Sequence, residues 1–230
     1  MTDASRVSGL TAIVPAAGIG SRMGADCPKQ YLQLAGKTIL EHTLERLLSH
    51  PAIAQVIVAL APHDRWFEAL PVAADSRIVR AEGGAERAFS VLNGLHVAQG
   101  EWVLVHDAAR PCLTHGDLDA LIVAAMNCGG AILGSRVRDT MKRSDGEGNI
   151  IATVERELLW HALTPQMFPT RALKRALEEG LLLGATITDE ASAMERAGFT
   201  VRMVEGRADN IKVTRPEDLS LAGLFLSQQA

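Results

Sequence analysis

Short apolar runs rich in β-branched residues recur at Thr11–Val14, Gln55–Ala61, Arg77–Ala81, Trp102–His106, Ala131–Leu133 and Thr200–Val204. Between them, apolar residues fall at helical spacing: Leu40, Leu44, Leu47 and Leu48, then Ala88, Val91, Leu92 and Leu95, then Leu118, Leu121, Ile122 and Ala125. A strand that is apolar throughout needs cover on both faces, and helices with a single apolar stripe supply it. The alternation predicts an α/β fold, a Rossmann-like mixed, mainly parallel sheet flanked by helices. Thr38 and Glu41 read as a capping box opening the first helix, which Pro51 ends. Thr214 and Glu217 read as a second box around Pro216, opening a last helix that turns Leu219, Ala222 and Leu226 inward.

Residues 136–156 break this pattern. Charged Arg136, Arg138, Asp139, Lys142 and Arg143 alternate with β-branched residues, Ser144 to Asn149 is a polar loop holding two glycines, and Ile150 to Val154 is again strand-like. The segment reads as a hairpin too polar for the middle of a sheet, so it is expected to project as an arm from a single domain spanning 1–230.

Composition narrows the function. A net charge of -4 argues against a general nucleic-acid binder, so any bound polyanion is small and held locally. No run approaches the roughly 20 apolar residues of a membrane span. Residues 10–20 are broken by Pro15 and glycines, which suits a core strand better than a signal segment. Cys27, Cys112 and Cys128 are odd in number and lack C-x-x-C spacing, so a reducing, cytoplasmic location is expected, with neither disulfides nor a zinc site.

The chemistry concentrates after the first strand, in Val14-Pro15-Ala16-Ala17-Gly18-Ile19-Gly20-Ser21-Arg22-Met23-Gly24 and the following Pro28-Lys29-Gln30. Gly18, Gly20 and Gly24 let backbone N–H groups approach an anion, and Arg22 and Lys29 can neutralise a polyphosphate. Neither the dinucleotide G-x-G-x-x-G nor the Walker G-K-[ST] is present, so hydride transfer and P-loop chemistry lose weight. In open α/β sheets ligands sit beyond the carboxyl ends of the strands. There, Asp107 is a candidate Mg²⁺ ligand, since that ion takes a carboxylate plus phosphate oxygens and water; a turn cap or a pair with Arg110 is the structural alternative. Gly83 and Gly84 would let a flat base lie on the backbone, with Ser90 at its edge, or else form a plain turn. His106 reads as a hydrogen-bonded core residue, and the other histidines lack metal-ligand spacing. The polar stretch Thr186 to Glu190 reads as a solvated face.

Together these motifs resemble the family of 2-C-methyl-D-erythritol 4-phosphate cytidylyltransferases of the non-mevalonate isoprenoid route. The resemblance rests on P-A-A-G-x-G-x-R-M at Pro15 to Met23, P-K-Q-Y at Pro28 to Tyr31, G-G-x-x-R-x-x-S-V at Gly83 to Val91, V-H-D-A-A-R-P at Val105 to Pro111, R-D-T at Arg138 to Thr140, T-P-Q at Thr164 to Gln166, T-D-E-A-S at Thr188 to Ser192 and N-I-K-V-T at Asn210 to Thr214. It implies that CMP passes from CTP to methylerythritol phosphate with release of pyrophosphate. Arg22 and Lys29 would contact the CTP phosphates and stabilise the transition state, with Mg²⁺ on Asp107. Pro15, Ala16, Ala17, Gly18, Gly83, Gly84 and Ser90 would hold the cytidine. The resemblance also implies a homodimer with interlocked arms. In it, Thr140 and Arg156 of one chain would reach the acceptor in the other chain's site, where Thr164, Thr188 and Lys212 also bind it. Ala85 departs from a polar residue found in some relatives, which bears on a side-chain contact to the nucleotide there and not on the backbone contacts.

The acceptor phosphate is already an anion, so no strong base is required and catalysis rests on alignment and charge neutralisation. Two rivals remain at this point: another nucleotidyltransferase of the same architecture, and a non-catalytic nucleotide-binding module. The presence of both Lys29 and Lys212 disfavours the second.

Overall fold

In the computed structural model, which describes residues 8–18 and 27–229, β1 (Leu10–Pro15) divides its side chains between two cores. Ala12 and Val14 enter one cluster with Leu40, Leu44, Leu118 and Leu121, while Ile13 enters the other with Val91, Leu95 and Leu177. Alternate residues of a strand face opposite ways, so an unbroken apolar run is what a doubly covered strand requires.

The remaining elements are β2 (Gln33–Leu34), β3 (Lys37–Thr38), α1 (Ile39–Leu48), β4 (Ile53–Leu60), β5 (Ile78–Glu82), α2 (Arg87–Val97), β6 (Trp102–Val105), α3 (His115–Cys128), β7 (Ala131–Arg136), β8 (Met141–Ser144), β9 (Ile150–Val154), β10 (Trp160–Pro169), α4 (Thr170–Leu182), α5 (Glu190–Arg196), β11 (Arg202–Glu205) and α6 (Pro216–Ser227). The main sheet runs β11-β7-β10-β6-β1-β4-β5. Helices α1 and α3 pack on one face, and α2, α4 and α5 on the other. Every pairing is parallel except the two made by β10. The mixed, mainly parallel sheet is as expected.

Strand β10 went unrecognised in the sequence because Pro165 and Pro169 argue against a central strand. A break in its register with β7 between Ala162 and Gln166 accommodates Pro165. Being antiparallel, β10 begins at the edge where its neighbours end, and so carries Thr164 to the carboxyl end of β6.

Thr38 accepts from the Glu41 N–H while Glu41 accepts from the Thr38 N–H, so the first capping box forms as read; such a cap contributes about 1 kcal/mol. The second does not form as read. Asp218, not Glu217, reaches back to the N–H groups of Thr214 and Arg215, because the third residue after the cap faces them. Strands β8 and β9 form their own two-stranded hairpin sheet, exposed along nearly its whole length.

Candidate active site

Two pockets open side by side at the carboxyl edge of the sheet. The first is lined by Pro15, Ala16, Ala17 and Gly18 at the end of β1 and just beyond it, by Lys29 and Gln30, by Gly84 to Arg87 and Ser90 around the start of α2, and by Asp107 and Lys212. The second is lined by Ala162, Thr164 and Gln166 of β10, by Thr188 and Asp189, and again by Arg87, Asp107 and Lys212. Those last three residues form the seam between the pockets.

Asp107 is the centre of the seam. Its Oδ1 accepts from Arg87 Nε at 3.0 Å; its Oδ2 lies 2.9 Å from Lys212 Nζ and 3.4 Å from Arg110 Nε. Burial alone would raise this carboxyl, but the three cations outweigh it and hold the group below the usual carboxylate range. Its backbone N–H donates to Thr164 Oγ1 at 3.0 Å, which ties β6 to the irregular part of β10. The pair with Arg110, the structural alternative, is therefore present as well. A carboxylate offers about four lone-pair directions. Three are engaged here, so one direction remains for a metal that draws its other ligands from phosphate and water. Among the described residues no group of three or more His, Cys, Asp and Glu side chains is gathered to hold a metal alone.

His106 is structural, as expected. Its Nε2 faces the Arg110 carbonyl at 3.0 Å, which can only accept, so the proton sits on Nε2. Nδ1 then accepts from the Thr164 hydroxyl at 2.9 Å. Burial drives its pKa down to about 4, against the smaller opposing effects of the Arg110 carbonyl and Asp107.

The glycine pair has a packing role beside the one read in the sequence. A Cβ on Gly83 would stand 2.2 Å from the Ala17 Cβ, and one on Gly84 would stand 2.2 Å from the Phe89 Cβ. Both glycines are required by packing within the protein, before any base arrives. Gly84 N–H donates to Ser90 Oγ at 3.0 Å, and that hydroxyl donates to the Glu86 carbonyl, so buried Ser90 fixes the loop while lining the pocket. Gly83 lies behind the lining, its N–H on the Leu60 carbonyl.

Lys29 Nζ donates to the Val213 carbonyl at 3.0 Å, which joins the first loop to the Asn210 to Thr214 segment. Arg22 lies outside the described residues. Thr140 and Arg156 are exposed and line neither pocket; Arg156 donates to the Arg138 carbonyl across the base of the arm.

Two further residues bear on the seam: Arg87 stands in it, and Glu190 lies behind Arg87. Arg87 forks onto Glu190, and Glu190 is 1% exposed. The solvated-face reading of this stretch fails at Glu190, because α5 starts there and turns the side chain inward. Asp189 caps that helix, and Gln166 bridges Asp189 and the Ala191 N–H. The only signal in the sequence was the presence of Arg87 and Glu190 inside two of the quoted motifs.

The family model described as IspD, 2-C-methyl-D-erythritol 4-phosphate cytidylyltransferase, matches residues 10–228. The chain belongs to the 2-C-methyl-D-erythritol 4-phosphate cytidylyltransferase family. The cytidylyltransferase of that name from Aeromonas hydrophila subsp. hydrophila is 89% identical over 96% of this chain and 91% of its own. One from Shewanella amazonensis is 60% identical over 99% and 97%. Among solved structures, the cytidylyltransferase of Francisella tularensis superposes with a TM-score of 0.82 at 35% identity, over 95% of this chain and 100% of that one. The Thermus thermophilus cytidylyltransferase gives 0.80 at 33% identity, over 94% and 98%. Membership in this cytidylyltransferase family makes the chain a nucleotidyltransferase.

Proposed function

We propose that the protein transfers CMP from CTP to 2-C-methyl-D-erythritol 4-phosphate, with CTP in the first pocket and the acceptor in the second. The observation that carries this reading is the shared seam: Arg87, Asp107 and Lys212 line both pockets, so the two phosphates would meet there. The acceptor phosphate oxygen attacks the α-phosphorus of CTP, the bond to the bridging oxygen breaks, and pyrophosphate leaves with the electron pair. Lys29 and Arg22 stabilise charge on the triphosphate, and Lys212 and Arg156 bring in the acceptor phosphate. Asp107 would hold a divalent cation, which supplies further neutralisation of the triphosphate. Pro15 to Gly18, Gly84 and Ser90 hold the cytidine, with Gly83 supporting the loop from behind; Thr164 and Thr188 contact the acceptor.

The arm supplies Thr140 and Arg156 to the site of a second copy. Support comes from its exposure, since Ile150 and Ile151 are 66% and 60% exposed on a hairpin that packs on little else. Among the described residues no helix is long and apolar enough to cross a membrane. The test is pyrophosphate release with CTP, ATP, GTP or UTP, with and without methylerythritol phosphate. Release that needs both CTP and the acceptor is expected, and release without the acceptor would overturn the reading.

A further inference from the structure

Glu190 touches neither pocket, yet it is among the most deeply buried charges in the described structure, and such a group persists only when its charge is met. Arg87 meets it with two parallel bonds, Nη1 to Oε1 at 2.7 Å and Nη2 to Oε2 at 3.1 Å. That leaves Nε for Asp107 Oδ1 at 3.0 Å. A guanidinium is a rigid plane, so fixing two of its nitrogens fixes the direction of the third. Glu190 is the first residue of α5, where the helix dipole favours an anion; Arg87 is the first residue of α2, where it disfavours a cation. The cation is therefore placed against its own helix, and its location answers to Asp107 and Glu190.

We propose that Glu190 is a positioning residue. It aims Arg87, and through Arg87 the Asp107 carboxylate, at the seam where the two phosphates meet. This rests on the function proposed above. With the Glu190 charge gone, Arg87 keeps a single anchor and turns toward incoming phosphate. Anions still bind, but the seam loses its alignment, and misplacement there is felt in turnover rather than in binding.

The test compares Glu190→Gln, which keeps the shape and removes the charge, with Arg87→Lys, which keeps the charge and removes the fork, and with the double variant. Glu190→Gln is expected to lower kcat roughly 10- to 100-fold while both KM values stay within about threefold. The double variant is expected to be no worse than the poorer single one, as for residues acting through one another. An unchanged kcat per folded molecule with a lowered Tm, or additive losses, would overturn the proposal. Should Glu190→Gln fail to fold, Glu190→Asp takes its place, since it keeps the charge but draws the carboxylate back by one methylene, out of reach of the Arg87 fork. A second readout needs no substrate: hydrogen exchange at the Arg87 Nε–H, followed by NMR. Slow exchange in the wild type and fast exchange in the variant are expected, and equal rates would overturn the proposal. A wild-type protein inactive with CTP and methylerythritol phosphate would sink the functional reading, while the exchange measurement would still decide whether Glu190 holds Arg87.

Discussion

Lys212 and Arg156 are both cations assigned to the acceptor phosphate, and the molecule holds them in opposite ways. Lys212 is aimed by Asp107, a carboxylate that is itself buried and fixed by Arg87 and a backbone bond to Thr164. Arg156 stands on an exposed hairpin, tied within its own chain to the Arg138 carbonyl and the neighbouring Glu155. The body of the protein organises its half of the site by burial before any ligand arrives. The arm has no such support within the chain, and the proposed second copy is the surface that would order it. On that proposal, where a site residue is preorganised separates what one chain completes alone from what it completes with a partner.

The largest effect should come from removing a cation on the body side. Lys29→Ala is expected to lower kcat a hundred-fold or more, equivalent to ~3–4 kcal/mol, while CTP affinity changes far less. Steady-state kinetics beside direct CTP titration checks this. A near-normal kcat would put the transition-state charge on other groups and weaken the contrast between body and arm.

The buried network has a pH signature of its own. His106 titrates near 6.5 when unfolded and at about 4 when folded, so protonation favours the unfolded chain. Its contribution is complete above about pH 6.5 and is lost as pH falls toward 4, amounting to about 3 kcal/mol across that window. Asp107, whose folded pKa is depressed, gives up its contribution only at still lower pH, so the two windows separate. Urea unfolding at stepped pH is expected to show this slope in the wild type and a flatter one in His106→Gln. Equal slopes would remove His106 as its source.

Next in size is the loop before α2. Gly84→Val places a Cβ 2.2 Å from that of Phe89, so it is expected to destabilise the fold by about 1–3 kcal/mol as well as weaken CTP binding. An unchanged Tm with weaker CTP binding would return Gly84 to the simpler role of making room for a base.

The same contrast governs what was legible in the sequence. Elements whose cause is local were read with small errors at their ends: the apolar run of β1, the stripe of α1 with its Thr38 cap, and the β9 strand at Ile150–Val154. Elements caused by distant partners were not. Pro165 speaks against a strand unless a register break is built for it, and that break depends on pairing with β7. Glu190 resembles any surface acid until Arg87, 103 positions earlier, is folded against it. The motifs contain residues that line both pockets, but not how those residues are held. That Phe89 demands a glycine at 84, and that three cations contact Asp107, are facts of packing which no motif displays.

The smallest expected signal tests the arm itself. If each site takes Lys29 from one chain and Arg156 from the other, then a dimer of one Lys29→Ala chain and one Arg156→Ala chain has a site with both defects and a site with neither. Random exchange at equal amounts makes about half the dimers mixed, each with one intact site, so activity should recover to about a quarter of wild type. Each variant alone should stay near its own low level, and circular dichroism should show both folded. The measurement is CTP-dependent pyrophosphate release from dimers carrying two different tags, purified through both in turn. Purified mixed dimers should then reach about half of wild-type activity per dimer, because one of two sites is whole. If verified mixed dimers of folded chains show no recovery, Lys29 and Arg156 serve the same chain's site, and the arm must fold back onto its own body rather than reach across.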